Sequence, residues 1–377
     1  MPRISRRQFL AGSALALSGC GPRRVPFARI TAPAPLVPVN VSASRVIRTT
    51  VGLRPFRPSG FVVRAEKLGD KIVIHNYGHG GAGITLSWGT AQLAADEAAK
   101  TALRDCAVIG CGVVGLSTAR ILQQRGYQPV IYASEMPPNT TSNMAGGLWD
   151  PVTVFDDATP EFRSQFVAAA HFAHRRYQLL AGDEYGVRWM PIYNLANDKP
   201  FAPPRPESVA SEIQDLYPET RYLEASENPF QVKYGRRRDI MLIEPSIYLD
   251  KLMRDFLIGG GKVHIRMFAS AADLAALSER LLFNCTGLGA KALFNDAELT
   301  PIKGQLTFLL PQPEVNYCTV GPDDLYMFPR HDGIVLGGSH ERGVWSTDPE
   351  PDVLDRTLRG NAALFSSMRR APGRRAG

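Results

Sequence analysis

The chain has 377 residues, enough to bury a large core; 44% are hydrophobic and 21% charged, and no apolar run reaches the ~18 residues of a membrane span. Its formal charge is +7, yet five arginines lie within residues 1–24 and four within 369–377, which leaves 34 basic against 36 acidic residues in the body. The basic excess is confined to the two ends, which argues against a nucleic-acid-binding face, and the composition excludes a disordered chain.

The first twenty residues read as an address. "SRRQFL" carries a twin-arginine pattern, "FLAGSALAL" is a short apolar run, and "LSGC" has the form of a lipoprotein cleavage box ending at Cys20. The expectation is export of an already folded protein and a membrane anchor through a lipid on Cys20, facing the periplasm or cell surface. Residues 21–39 are proline-rich and read as a tether. Cys106, Cys111, Cys285 and Cys318 form no CxxC pair, so they read as buried thiols with no metal site, and a disulfide among them is left open.

Strand patterning begins at "SRVIRTTVGL" and returns in "FVVRAEKLGDKIVIHN", with a turn at "LGDK". A glycine-rich loop, "YGHGGAGIT", follows. The stretch "ITLSWGTAQLAADEAAKTAL" is expected to be helical in its alanine-rich later part and leads into the strand "CAVIG". His75 and His79 are spaced i, i+4, but on such a loop they read as structural hydrogen-bonders, not metal ligands.

"AVIGCGVVGLSTARILQQRGYQPVIYASE" reads as strand, turn, helix and strand around Gly110-x-Gly112-x-x-Gly115. The first glycine permits the turn, the second lets a pyrophosphate reach the backbone, and the third allows close packing of helix and strand. The helix opening at Val113 and Val114 offers free N–H groups to phosphate, and Glu135 is an acid at a suitable distance for a ribose.

Residues 151–239 mix helical and β-like stretches. "SIYLDKLMRDFLIGGGKVHIRMF" is a second α/β passage leading to "LLFNCTGLGA", and "IKGQLTFLL" and "LYMFPRHDGIVLGGSH" read as antiparallel strands with a turn near Asp332-Gly333. The expected fold class is α/β: a Rossmann-type dinucleotide-binding domain (40–150 and 240–300) interleaved with an antiparallel-sheet substrate domain (151–239 and 301–368). A basic tail spans 369–377.

"VIGCGVVGLSTARIL", "TTSNMAGGLWDP", "NCTGLGA", "KGQ", "DGIVLGG", "VGLRPFRP" and "VIHNYGHGGAGITLSWG" together resemble the D-amino-acid oxidase family of flavoproteins. In that family the "RPxRP … HNYGHGG" block follows the dinucleotide turn; here it precedes it, so the chain looks circularly permuted. Permutation is tolerated where chain ends lie close together on a surface.

The resemblance implies FAD as cofactor, with Gly110, Gly112, Val113, Val114 and Gly115 at its ADP half. It places Thr140, Thr141 and Ser142 near the phosphates, and Gly146, Gly147 and Leu148 beside the flavin ring. At the ribose position the aligned residue is Ser134, with Glu135 next to it. Gly80, Gly83, Ile84 and Thr85 would bring backbone and a helix dipole to the flavin. Arg54 would clamp the substrate carboxylate, Tyr326 would hydrogen-bond it, and the Gly81 carbonyl would receive the amino group. Arg57, three residues along an extended proline-stiffened segment, should face away. A second tyrosine position of the family is Pro322 here, and Tyr317 is a candidate to compensate.

The implied reaction presents the Cα–H of a D-amino acid to the flavin and yields a 2-oxo acid and ammonia. Molecular oxygen, giving hydrogen peroxide, or a quinone accepts the electrons. Glycine or D-aspartate oxidation, a quinone-linked dehydrogenase, and a flavin-binding lipoprotein without turnover are the alternatives.

Overall fold

The structure, a computed structural model, describes residues 36–369, which fall in one compact unit; the expected signal, the expected lipid site at Cys20 and most of the basic tail lie outside them. Six strands form one sheet in the spatial order Val62–Leu68, Lys71–Tyr77, Leu281–Asn284, Asp105–Ile109, Gln128–Ala133, Lys262–Ile265. All adjacent pairs but the first are parallel. Period-2 alternation fixes which side chains enter which layer. Ile74, Cys106, Val108, Leu281 and Phe283 point into the main core, while Val73, Ala107, Ile109 and Leu282 pack on Leu274 and Leu277 behind the sheet.

Helices α1 (Gly83–Ala99), α2 (Val113–Gln124) and α3 (Pro160–Leu179) enclose the main core. Helix α1 begins at Gly83 and includes "ITLSW", earlier than the alanine-rich part alone predicts, because Ile84, Leu86 and Trp88 are all buried. A Cβ on Gly89 would collide with the Ala169 carbonyl, so α1 and α3 cross backbone to backbone. The run of Ala91, Ala94, Ala95 and Ala98 keeps that helix thin, and all four are fully buried. Helix α3 starts where the Thr159 hydroxyl accepts the Phe162 N–H at 3.2 Å, with Pro160 at its first position.

The second sheet has nine strands, in the order Val46–Phe56, Thr300–Leu309, Gly333–Gly337, Tyr326–Arg330, Cys318–Val320, Val187–Ala196, Tyr234–Ile243, Arg221–Leu223, with Glu341–Arg342 also paired to Thr300–Leu309. The hairpin across Asp332-Gly333 forms as expected, with Arg330 opposite Gly333 and Gly333 at φ +136°. The sheet is not wholly antiparallel, since Cys318–Val320 runs parallel to Val187–Ala196.

Two expected boundaries move. Val46–Phe56, assigned by position to the nucleotide domain, pairs antiparallel along its length with Thr300–Leu309 in the other sheet, with one register shift between Val46 and Arg48. The end of the expected tether is folded: Val39 is buried against Phe365 and Met368, and Asn40 N–H donates to Gln312 Oε1 at 2.9 Å. Proline-rich sequence reads as loop because it lacks a helical or strand period, yet its apolar side chains can still be covered. No described helix is long and apolar enough to cross a membrane.

Candidate active site

The C-terminal ends of all five parallel strands open into one cavity of about 950 Å³. This is where an open α/β sheet places a ligand, because strand ends and helix starts converge there. Asn76–Gly78, Ile109–Cys111, Tyr132–Glu135, Arg266–Ala269 and Cys285–Gly289 border it, each following or closing one strand. Arg54 and Tyr326, from the nine-stranded sheet, border it as well.

The dinucleotide turn is built as its glycines require. Gly110 has φ +112°, and a Cβ there would run into the Cys285 carbonyl. Gly112 is extended and leads into α2, where Val113 and Val114 line the cavity. Gly115 does not line it: a Cβ at that position would strike the Gly110 carbonyl, so its role is the close packing of helix on turn, not ligand contact. The Ser142 hydroxyl accepts the Val113 N–H at 3.0 Å, and Thr140, Thr141 and Ser142 all border the cavity. Ser134 and Glu135 lie at its exposed rim.

The second glycine-rich loop faces the first. Gly80, Gly81, Gly83, Ile84 and Thr85 line the cavity, with Gly80 at φ +56° pressed against Thr153 and Gly81 N–H donating to Thr153 O at 3.1 Å. Thr85 Oγ1 reaches the carbonyls of Asp150 at 3.3 Å and Leu148 at 3.4 Å, which ties the start of α1 to Gly146, Gly147 and Leu148 on the cavity wall. Neither α1 nor α2 carries an acidic residue in its first turn, so both positive helix ends are left for an anion from elsewhere.

His79 and His75 serve structure. His79 stacks on Phe61, its Nε2 lies 2.9 Å from Thr90 Oγ1, and burial pushes its imidazole down to about 3. His75 lies between Glu66 (3.2 Å) and Asn284 (3.1 Å). No metal-binding cluster occurs among the described residues, and the four described cysteines are free and buried, with Cys111 pushed up to about 12 by burial.

Arg54 and Arg57 do face apart. Arg57 bonds Asp296 at 2.8 Å, and Glu298 lies 3.2 Å away, behind the cavity. Arg54 enters the cavity and has no carboxylate within 4.0 Å among the described residues. Its guanidinium lies on the backbone of Gly304, where a Cβ would stand 2.5 Å from Nη1, and Nη1 donates to Ser339 O at 3.3 Å. The Tyr326 ring stacks on Phe328 at 4.7 Å and rests on Gly337. Burial raises the Tyr326 pKa, with Arg54 opposing the shift, so the phenol stays a neutral donor. Tyr317 is elsewhere: its hydroxyl donates to Val37 O at 2.8 Å within a separate aromatic cluster, so it cannot stand in for the missing tyrosine.

Sequence reasoning missed Arg266–Ala269, Asn194, Asp324 and His340, which also border the cavity. The first group had a usable signal, since it follows a strand of the parallel sheet. The others come from loops and strands whose spatial neighbours are distant in sequence.

FAD fits this cavity on three counts: its lining joins both glycine turns, two helix ends lack their own anion, and Asn76 Oδ1 is buried there without a partner among the described residues. A family model described as "FAD dependent oxidoreductase" matches residues 30–97 and 105–377. A D-amino-acid oxidase of Streptomyces coelicolor is 31% identical over 268 residues, spanning 68% of this chain and 76% of that protein. A D-amino-acid oxidase of Rubrobacter xylanophilus is 30% identical over 269 residues, spanning 70% and 78%. Glycine oxidase from Geobacillus kaustophilus shares the fold, with a TM-score of 0.52 at 15% identity over 71% of this chain and 80% of that one. The chain therefore belongs to the DAO family of FAD-dependent oxidoreductases.

Proposed function

We propose that the protein oxidises D-amino acids to 2-oxo acids and ammonia. The observation that carries this is Arg54, a cation without an acidic partner among the described residues, held flat beside the neutral Tyr326 donor in the cavity that also contains the dinucleotide turn. A planar guanidinium matches a carboxylate in two parallel hydrogen bonds. Tyr326 adds a donor to that carboxylate, and the Gly81 carbonyl receives the amino group. When bound, FAD supplies the two-electron acceptor; the Gly110 turn, Ser142 and the start of α2 hold its phosphates, and the Gly80–Gly83 turn backs its ring. Orientation of the Cα–H by these fixed contacts is the contribution of the protein, and no strong base is needed. Molecular oxygen or a quinone removes the electrons afterwards. The test is anaerobic mixing of the flavin-loaded protein with D-alanine, D-arginine, D-aspartate and glycine. Bleaching of the yellow flavin by a D-amino acid, and none by its L-enantiomer, is expected; no bleaching by any of them refutes the reading.

We also propose that the order of the family's blocks is permuted. Three features support it: the family match falls in two stretches that break at 98–104, the join from α1 to the first strand of the turn is only Lys100–Arg104, and Val39 packs on Phe365 and Met368.

Export and lipid anchoring rest on residues 1–20 alone, and the choice of a route for folded proteins suits a cofactor loaded before export. Replacing Arg6 and Arg7 together by Lys should leave the protein inside the cell on fractionation, and Cys20→Ala should release it from membranes; unchanged distribution in both sinks the proposal.

A further inference from the structure

The cavity has a second charged feature that the proposed reaction leaves unused. Asp324 lies on its wall with Tyr326, His340 and Asn194, at the tip of the turn Gly321–Leu325 that joins Cys318–Val320 to Tyr326–Arg330. No cationic side chain lies within 4.0 Å of its carboxylate among the described residues, and that carboxylate makes no hydrogen bond there.

The turn is held in a costly shape. Asp323 and Asp324 have φ +58° and +59°, a left-handed pair that side-chain-bearing residues rarely adopt in succession. Pro322 presets the approach, Gly321 N–H donates to Leu325 O at 2.6 Å, and Arg356 donates to Asp323 O at 3.3 Å and to Gly338 O. Gly338, at φ +139°, leaves room for the Asp324 carbonyl, which a Cβ would approach to 2.8 Å. Strain maintained by so many surrounding contacts concentrates where a side chain must be aimed.

Asp324, Arg54 and His340 line the same cavity. Burial pushes His340 below its ordinary pKa; Arg54 and, more weakly, Arg356 add to that shift and Asp324 opposes it, so all three charges are within electrostatic reach of one point in the cavity. They are nevertheless not paired with each other at 4.0 Å. A ligand whose carboxylate sits on Arg54 therefore has, further along the wall, a carboxylate that makes no ion pair among the described residues.

We propose that Asp324 selects the substrate side chain, favouring D-amino acids with a cationic side chain over those with an acidic one. The inference rests on the oxidase reading above. An ammonium or guanidinium reaching Asp324 gains a partner, whereas a second carboxylate meets a like charge. Because Asp324 is exposed, the preference is modest and weakens with added salt.

The experiment measures kcat/KM for anaerobic flavin reduction by D-arginine, D-alanine and D-aspartate in the flavin-loaded full chain. Wild type should follow that order. In both Asp324→Asn and Asp324→Ala the ratio of D-arginine to D-aspartate should fall about tenfold, roughly the loss of one exposed ion pair together with the relief of one like-charge repulsion. An equal loss on all three substrates, which would mean that Asp324 holds the amino group or only shapes the turn, overturns the proposal. So does a wild-type preference for D-aspartate. If none of the three reduces the flavin, the oxidase reading falls as well, whereas reduction by all three with an unchanged ratio overturns this proposal alone.

Discussion

Replacing Arg54 by Leu should lower kcat/KM for D-amino acids by roughly 30-fold to several thousand-fold while the flavin stays bound. The figure follows from removing one partner of a desolvated charge pair, about 2–5 kcal/mol. The protein should tolerate the change, because Arg54 supports no ion pair among the described residues and donates only to Ser339 O. Tyr326→Phe removes a neutral hydrogen bond and should cost on the order of tenfold. Gly304→Ala gives a finer test. Its Cβ would stand 2.5 Å from Nη1 and 2.7 Å from Cζ of Arg54, so the guanidinium must move off the strand while the flexible side chain spares the fold. The expected loss is roughly tenfold and falls mainly on KM, since the clamp is displaced and not removed. Arg57→Lys is the control: it keeps the charge facing Asp296 and should change flavin reduction by less than about twofold. Anaerobic reduction is the right measurement, because it does not depend on the electron acceptor. Equal rates in wild type and Arg54→Leu would remove Arg54 from the site.

Deleting residues 36–104 should abolish flavin binding altogether, whereas moving the same residues behind Arg369 through a short flexible linker should retain about one FAD per chain. The deletion takes away Lys71–Tyr77, which is parallel neighbour to Leu281–Asn284, together with α1 and the Gly80–Gly83 turn. It also removes Val46–Phe56, the antiparallel partner of Thr300–Leu309 and the carrier of Arg54. The transposition keeps every one of these pairings and alters only loop closure, which costs little for a flexible surface connection. Absorbance of bound flavin and a single thermal unfolding transition would measure both outcomes. A deletion that still holds stoichiometric flavin, or a transposed chain that holds none, would refute the permuted reading.

Much of the site was legible in the sequence, because local features encode it. Gly110, Gly112, Val113 and Val114 border the cavity as the glycine spacing implied, and the Asp332-Gly333 hairpin forms where turn chemistry put it. That Arg54 and Arg57 face apart follows from the alternation of an extended segment, which is also local, whereas the choice of Arg54 as the one entering the cavity came from the family resemblance. Tertiary structure alone decided the rest. It set Gly304 beneath Arg54, gave Gly115 a packing role behind the turn, and removed Tyr317 from the cavity to a cluster with Phe230 and Phe365. It also folded Val39 into the body and moved Val46–Phe56 from one sheet to the other. A period of 2 or 3.6 residues tells a side chain which face it occupies, but not which distant backbone will cover that face. Val46 pairs with Leu309 across more than half the chain, and no local pattern distinguishes that partner from any other strand edge.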